Sequence, residues 1–429
     1  MRIRLTILLL TVCALAGGFA VRGLLADGER RPEQTAVRAD AGTAAQIAQL
    51  EAQVGSRPDD LALLLRLGAL YLARARESGD PSFYGLAERA AQRALDQAPG
   101  DPAALVLAGE TALAQHRFTD ALAMAERARD ANPDLVAAYG VLTDALVELG
   151  RDEEAAAAAQ EMIDRRPDFA SYSRASYLRE LHGDQRGAIE LMERAAASAP
   201  SRYDAAWALV LVGNLHLAAG DLSAAERAYT RAAGTLPGDA IVLAAQARTA
   251  QAYGHAGVAE QLLRAALELR PVPEYAVALG DLLASQGRPV EAQEQYAFAR
   301  AVFDLMAADG VEADLELALF EADHGDPARA YALAREAHTR RPSIYTADAV
   351  AWAAFKVGRI DEARRYMDEA LRLGTRDPRL AFHSAMIAMA SGDPILARRQ
   401  LERAIDGGAA LSPLQLDQAE QALALAARQ

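Results

Sequence analysis

LVLVGNLHLAAGDLSAAERAYTRAAGTLP, residues 209–237, reads as two short helices and the turn that joins them. Gly220 permits the left-handed backbone that ends a helix. Asp221 follows directly and is suited to cap the next helix. The second helix carries Ala225 and Ala232, small side chains that let it pack closely against the first, and Pro237 near its end prevents continuation.

The same pattern recurs in both directions. Ala87, Ala121, Ala155, Ala188, Ala225, Ala259, Ala292, Ala330, Ala363 and Ala397 are separated by 34, 34, 33, 37, 34, 33, 38, 33 and 34 residues. Eight of them follow a glycine by five positions: Gly150, Gly183, Gly220, Gly254, Gly287, Gly325, Gly358 and Gly392. Asp184, Asp221, Asp326 and Asp393 come next as caps, and Pro289, Pro327 and Pro394 fall where a first helical position tolerates proline. A proline also follows the alanine by about twelve, as at Pro99, Pro133, Pro167, Pro200, Pro237, Pro271 and Pro342. From Pro102 to Gln115 the apolar residues recur at helical spacing. Each unit is therefore a helix–turn–helix hairpin that cannot bury its own faces and has to stack on its neighbours.

These residues resemble the tetratricopeptide repeat. Leu67-Gly68-x-x-Tyr71 matches that family's first helix. Val212-Gly213 with Ala225, Tyr229, Ala232 and Pro237, and Leu279-Gly280 with Ala292, Tyr296 and Ala299, match both helices. Thr143, Tyr177 and Trp352 stand where the family has a small residue, so those hairpins are expected to splay slightly. The resemblance implies an all-α fold, a right-handed α-solenoid of about ten hairpins over residues 61–410. Helices at 43–55 and 414–427 have no repeat partner and read as caps, which makes 43–429 one repeat domain. Three insertions interrupt the spacing and are expected as surface loops: Glu77–Tyr84, which lengthens a hairpin loop, Ser201–Asp204, and Ala301–Ala313, where a second helix overruns before Gly310.

Composition agrees with helices at close approach. The chain has 429 residues, is 52% hydrophobic with much alanine, and only 6% aromatic. A net charge of −14 repels phosphate backbones, which argues against a nucleic-acid partner. Cys13 is the one cysteine, so no intramolecular disulfide and no thiolate-built metal site is expected. Arg2 and Arg4 precede an apolar run from Leu5 to Val21, the pattern of a secretory signal or of an uncleaved signal anchor. Residues 1–26 are read in this way, with cleavage after Ala16 or Ala20 as one outcome. Residues 27–42 are polar and lack apolar periodicity, a flexible tether. The bulk of the chain is then expected outside the cytoplasm.

No phosphate loop, His-Glu-x-x-His or Gly-x-Ser-x-Gly motif occurs, and the seven histidines are dispersed. No enzyme, cofactor or metal is expected. His182 and His324 precede turn glycines, where each is placed to meet the last carbonyls of its helix. What remains is a surface. In the resembled family the first helices line a concave groove that takes peptides or partner segments. On that register the groove residues are Arg66, Glu110, Asp144, Arg174, Tyr177, Trp207, Asn214, Arg248, Asp281, Glu316, Asp348 and His383, with Lys356, the only lysine, nearby. The helix around Tyr172–Glu180 with Trp207 and Asn214 offers rings and donors for an interface. Glu316, Asp348 and His383 suit a basic segment or, on the other reading, an inter-repeat hydrogen-bond network. The implied function is a protein-binding scaffold; the alternative is an assembly component of an envelope or secretion complex.

Overall fold

The computed structural model describes residues 42–426, and among these every regular element is helical. Residues 1–26 and 27–42, read from the sequence as a signal or signal anchor and a tether, lie outside the described residues but for Gly42. The lone helix α1 (Thr43–Ser56) leads into ten hairpins. The first three are α2 (Leu61–Ser78) with α3 (Ser82–Gln97), α4 (Pro102–Ala114) with α5 (Phe118–Ala131), and α6 (Val136–Glu148) with α7 (Asp152–Arg165). Next come α8 (Phe169–Leu181) with α9 (Gln185–Ala197), and α10 (Arg202–Ala218) with α11 (Leu222–Thr235). The sixth and seventh are α12 (Ala240–Ala252) with α13 (Ala256–Leu269), and α14 (Pro273–Ser285) with α15 (Pro289–Ala308). The last are α16 (Asp314–His324) with α17 (Pro327–Arg340), α18 (Ile344–Lys356) with α19 (Ile360–Ala370), and α20 (Pro378–Ala390) with α21 (Pro394–Asp406). A short 3-10 turn, Gly408–Ala410, precedes α22 (Pro413–Ala426). Consecutive helices pack on one another, the arrangement of an α-solenoid.

The turn chemistry works as its residues dictate. Asp184, Asp221, Asp326 and Asp393 each accept a hydrogen bond from a backbone N–H of the first helical turn. Pro289, Pro327 and Pro394 open α15, α17 and α21. Seven of the eight turn glycines adopt positive φ. Gly325 does not: its φ is −134°. Here the Glu321 carboxylate closes the turn, accepting from the Asp326 N–H at 2.9 Å while Arg300 and Arg329 hold it on its other side.

The first two insertions are not loops, and in the third the second helix does overrun, α15 running to Ala308 before Gly310. Most first helices have 13 residues, but α2 has 18 and α10 has 17, while α15 extends to 20. The extra residues add helical turns, because a continued helix keeps its backbone hydrogen bonds where a loop would have to find others.

The chain divides into two compact units. The N-terminal unit runs to Arg174 and includes Asp304–Glu312; the C-terminal unit comprises Ala175–Phe303 and the chain from Ala313 onward. In the N-terminal unit α1 packs on α2 and buries Ile47, Leu50 and Val54. His116 occupies the turn position that glycine takes in most hairpins, and it too has positive φ, 62°. The segment ending at Glu312 secures it: Glu312 N donates to Gln115 O, and His116 Nδ1 lies 3.2 Å from Glu312 O. In the C-terminal unit the stack returns on itself. Gly183 sits against the carbonyl of Gly374, and the 3-10 turn packs on α10 and α12.

Candidate functional site

From α4 onward, the residue twelve before each repeat alanine is small and buried: Gly109, Thr143, Ser176, Gly213, Ala247, Gly280, Ala318, Ala351 and Ala385. This position corrects two expectations. Tyr177 and Trp352 do not replace the small residue; Ser176 and Ala351 hold it. Ser176 Oγ donates to the carbonyl of Ala188 across its hairpin, and Ala351 shares a core with Ala363 and Met367. Where the small residue is glycine opposite a tyrosine, the ring takes the missing side chain's space, and a Cβ at Gly213 would overlap Tyr229.

One residue further along each first helix stands a series of rungs: Glu110, Asp144, Tyr177, Asn214, Arg248, Asp281, Leu319, Trp352 and Met386. Several reach the first helix of the next hairpin. In the N-terminal unit Asp144 meets Arg174 as a two-pronged pair, Nε–Oδ1 2.9 Å and Nη2–Oδ2 2.5 Å. The guanidinium also donates to the carbonyls of Gly140 and Ala170, and Gly140 leaves it room, since a Cβ there would lie 3.2 Å from Cζ. Both partners are buried, and burial pushes the Asp144 carboxyl up to about 7 against the pull of Arg174.

In the C-terminal unit Asn214 Oδ1 accepts from Tyr229 Oη within its own hairpin and from Arg248 in the next, each at 2.7 Å. Asp281 accepts from Tyr296 Oη at 2.8 Å and lies 3.3 Å from His324 Nε2. Burial raises its carboxyl above the usual range. Trp352 Nε1 donates to Asp323 at 2.8 Å, and Lys356 both approaches the same oxygen at 3.2 Å and lies 4.6 Å over the indole. His383 stacks on Trp352 with centroids 4.1 Å apart and bonds through Nδ1 to Asp348 at 2.8 Å; neither His383 nor Asp348 is exposed.

Of the groove residues named from the sequence, Arg66 and Arg248 are exposed, and Tyr177, Trp207, Asn214 and Glu316 are half-buried. Glu110, Asp144, Arg174, Asp281, Asp348 and His383 are buried. Two pairs are brought together, Asp144 with Arg174 and Asp348 with His383, and Arg248 joins Asn214. Trp207 packs against the apolar cluster of Ala206, Leu209, Ala232, Ile241 and Val242. His182 does meet the carbonyl of Leu178 in its own helix. His324 instead stacks on Tyr296 at 4.2 Å and turns to Asp281. Sequence reading missed Asp323, which only its neighbours identify; Glu180, which it placed in the polar helix around Tyr172–Glu180, has its carboxyl pushed up to about 7 by burial and by the nearby Asp377. Among the described residues, no group of three or more His, Cys, Asp or Glu is placed to hold a metal ion. No helix among them is long and apolar enough to cross a membrane.

Two stretches of the chain, residues 112–177 and 350–413, match models of the tetratricopeptide repeat. No curated protein matches the chain. Among solved structures it is similar to the APC/C hetero-tetramer Cut9–Hcn1, with 14% identity over 90% of this chain and 93% of that one and a TM-score of 0.36. It is also similar to the human IFIT1 dimer with PPP-AAAA, at 17% identity, 77% and 78% coverage and a TM-score of 0.49. A tetratricopeptide repeat protein from Parabacteroides merdae ATCC 43184 shares 17% identity over 60% of this chain and 98% of that one, with a TM-score of 0.33. The two repeat matches, set on an all-helical hairpin stack, support a protein-interaction scaffold.

Proposed function

We propose that the chain is a non-catalytic scaffold that binds a protein segment along the first helices of its hairpins. It acts outside the cytoplasm, tethered or released according to the fate of residues 1–26. The observation that carries this reading is the linkage of rungs between successive hairpins. Asp144 with Arg174 and Asn214 with Arg248 join neighbouring first helices, so the side chains left at the surface stand on a braced platform. Within the C-terminal unit Trp207 and Arg248 offer an indole and a guanidinium, and within the N-terminal unit Arg66 offers a guanidinium on its own first helix, in each case chemistry suited to carboxylates and backbone carbonyls of a bound segment. The acidic balance of the whole chain favours a protein over a nucleic acid. The basic start and apolar run of residues 2–21 support export.

Quantitative capture of the partner by the full chain tests the binding face. Arg66→Glu combined with Arg248→Glu is expected to weaken recovery at least about tenfold, a loss of about 1.4 kcal/mol. Arg227→Glu on the second helix of the fifth hairpin is expected to leave it unchanged. Equal recovery by all three proteins would remove the first helices from the reading. The mature N-terminus, measured by mass spectrometry, checks the rest: a full-length product in the cytoplasmic fraction contradicts export.

A further inference from the structure

The rungs change character along the C-terminal unit. Tyr177, Asn214, Arg248 and Asp281 are polar or carry a hydroxyl, whereas the last three, Leu319, Trp352 and Met386, are apolar. These three belong to one cluster with Leu416, Ala419, Ala422 and Leu423 of α22. A helix that merely closed the stack would rest on the final hairpin. α22 does pack on α21, but it also packs on α20 and on α14, the first helices of the tenth and seventh hairpins. It lies over the face that first helices present.

Its hold there is slight. Only Ala419 and Ala422 of α22 are buried, one fewer than the three of α9, α13, α17 and α19. Gln415 reaches Asp323 at 3.5 Å, the outer limit of a hydrogen bond. Leu425 remains 54% exposed. Leu416, Ala419 and Leu423 fall at i, i+3 and i+7, the stripe by which an amphipathic helix seats in an apolar groove.

We propose that the apolar end of the rung series is a docking surface for an amphipathic helix of a partner protein. That helix carries leucine and alanine at the spacing of α22, and α22 is the internal occupant it displaces. The proposal rests on the binding reading above and adds the partner's chemistry and its competitor. α22 frays or lifts at low cost, and binding strength at this end is set by the difference between the two helices rather than by the surface alone.

The test uses a fluorescent peptide of residues 411–426 and the full chain. Leu416→Glu with Leu423→Glu loosens α22, and this variant is expected to bind the peptide at least about tenfold more tightly than the unaltered chain, read by anisotropy. A variant of unchanged helicity that binds no better overturns the proposal. Hydrogen exchange on the unaltered chain gives an independent reading that needs no variant. Amides of α22 are expected to exchange well before those of α14, α18 and α20. Exchange of α22 only together with those helices overturns the proposal as well. A concentration-dependent dimer of the unaltered chain held through α22 would make a second copy the occupant and likewise refute it. Charge reversal at Arg66 and Arg248 does not touch this surface, so the peptide result and the capture result fail independently.

Discussion

Asp144 with Arg174 in the N-terminal unit and Asp348 with His383 in the C-terminal unit do the same job by different chemistry. Each pair is buried and ties the first helix of one hairpin to the first helix of the next. Arg174 is a permanent cation, and its fork is met on several sides by a carboxylate and two carbonyls. His383 makes one hydrogen bond, and its ring is otherwise held by stacking against Trp352. The first joint depends on satisfying charge. The second depends on aromatic packing, and tolerates the loss of a polar partner better.

Substitution breaks or sharpens that contrast. Asp144→Ala strands a buried guanidinium and is expected to cost about 3–5 kcal/mol in denaturant unfolding. Replacing both partners, Asp144→Leu with Arg174→Met, is expected to recover most of the loss. Asp348→Ala removes one buried hydrogen bond, to His383, and the 3.9 Å approach of the partly exposed Arg379 guanidinium, and is expected to cost less, about 1–3 kcal/mol. His383→Phe keeps the ring and should stay below that. Equal costs for Asp144→Ala and Asp348→Ala would abolish the distinction.

A smaller effect concerns the interior of one hairpin. Gly213→Ala pushes a methyl into Tyr229 and is expected to destabilise by about 1–3 kcal/mol. Gly257→Ala meets open space in a helix and is expected to stabilise by about 0.5–1 kcal/mol. Thermal unfolding of the two single variants checks both signs.

The smallest expected effect is on pH dependence. Glu180 has its carboxyl raised to about 7 in the folded chain, first by burial and then by Asp377. The unfolded chain loses that proton near pH 4.3, at about the ordinary glutamate value. Between these values the folded state binds more protons, so stability present at low pH is lost as pH rises through about 7. Glu180→Gln is expected to flatten this fall in Tm between about pH 5 and pH 8, with little change at the acid end.

The hairpins were legible because their turns need specific residues: a glycine for left-handed backbone, an aspartate to cap, a proline to start. Those residues repeat, and the structure uses them as their chemistry requires. The register along the first helix was harder. Ser176 and Tyr177, like Ala351 and Trp352, are neighbours, and apolar residues on both sides hide which of each pair faces the second helix. The first two insertions read as loops because spacing alone does not distinguish a loop from an added helical turn. Gly325 escaped the rule since Glu321, four residues earlier, closes the turn with its side chain. The site was less legible still. Asp144 and Arg174 each read as a surface charge, and their pairing depends on how deeply adjacent first helices meet. His116 looked like one more dispersed histidine, although it stands five residues before Ala121, where most repeats have glycine.

Photo-crosslinking in intact cells tests the binding face most directly. A crosslinking residue placed at position 248, on a first helix, is expected to trap a partner polypeptide; the same residue at position 227, on a second helix, is expected to trap little. Strong adducts at position 227 with none at 248 would contradict binding along the first helices.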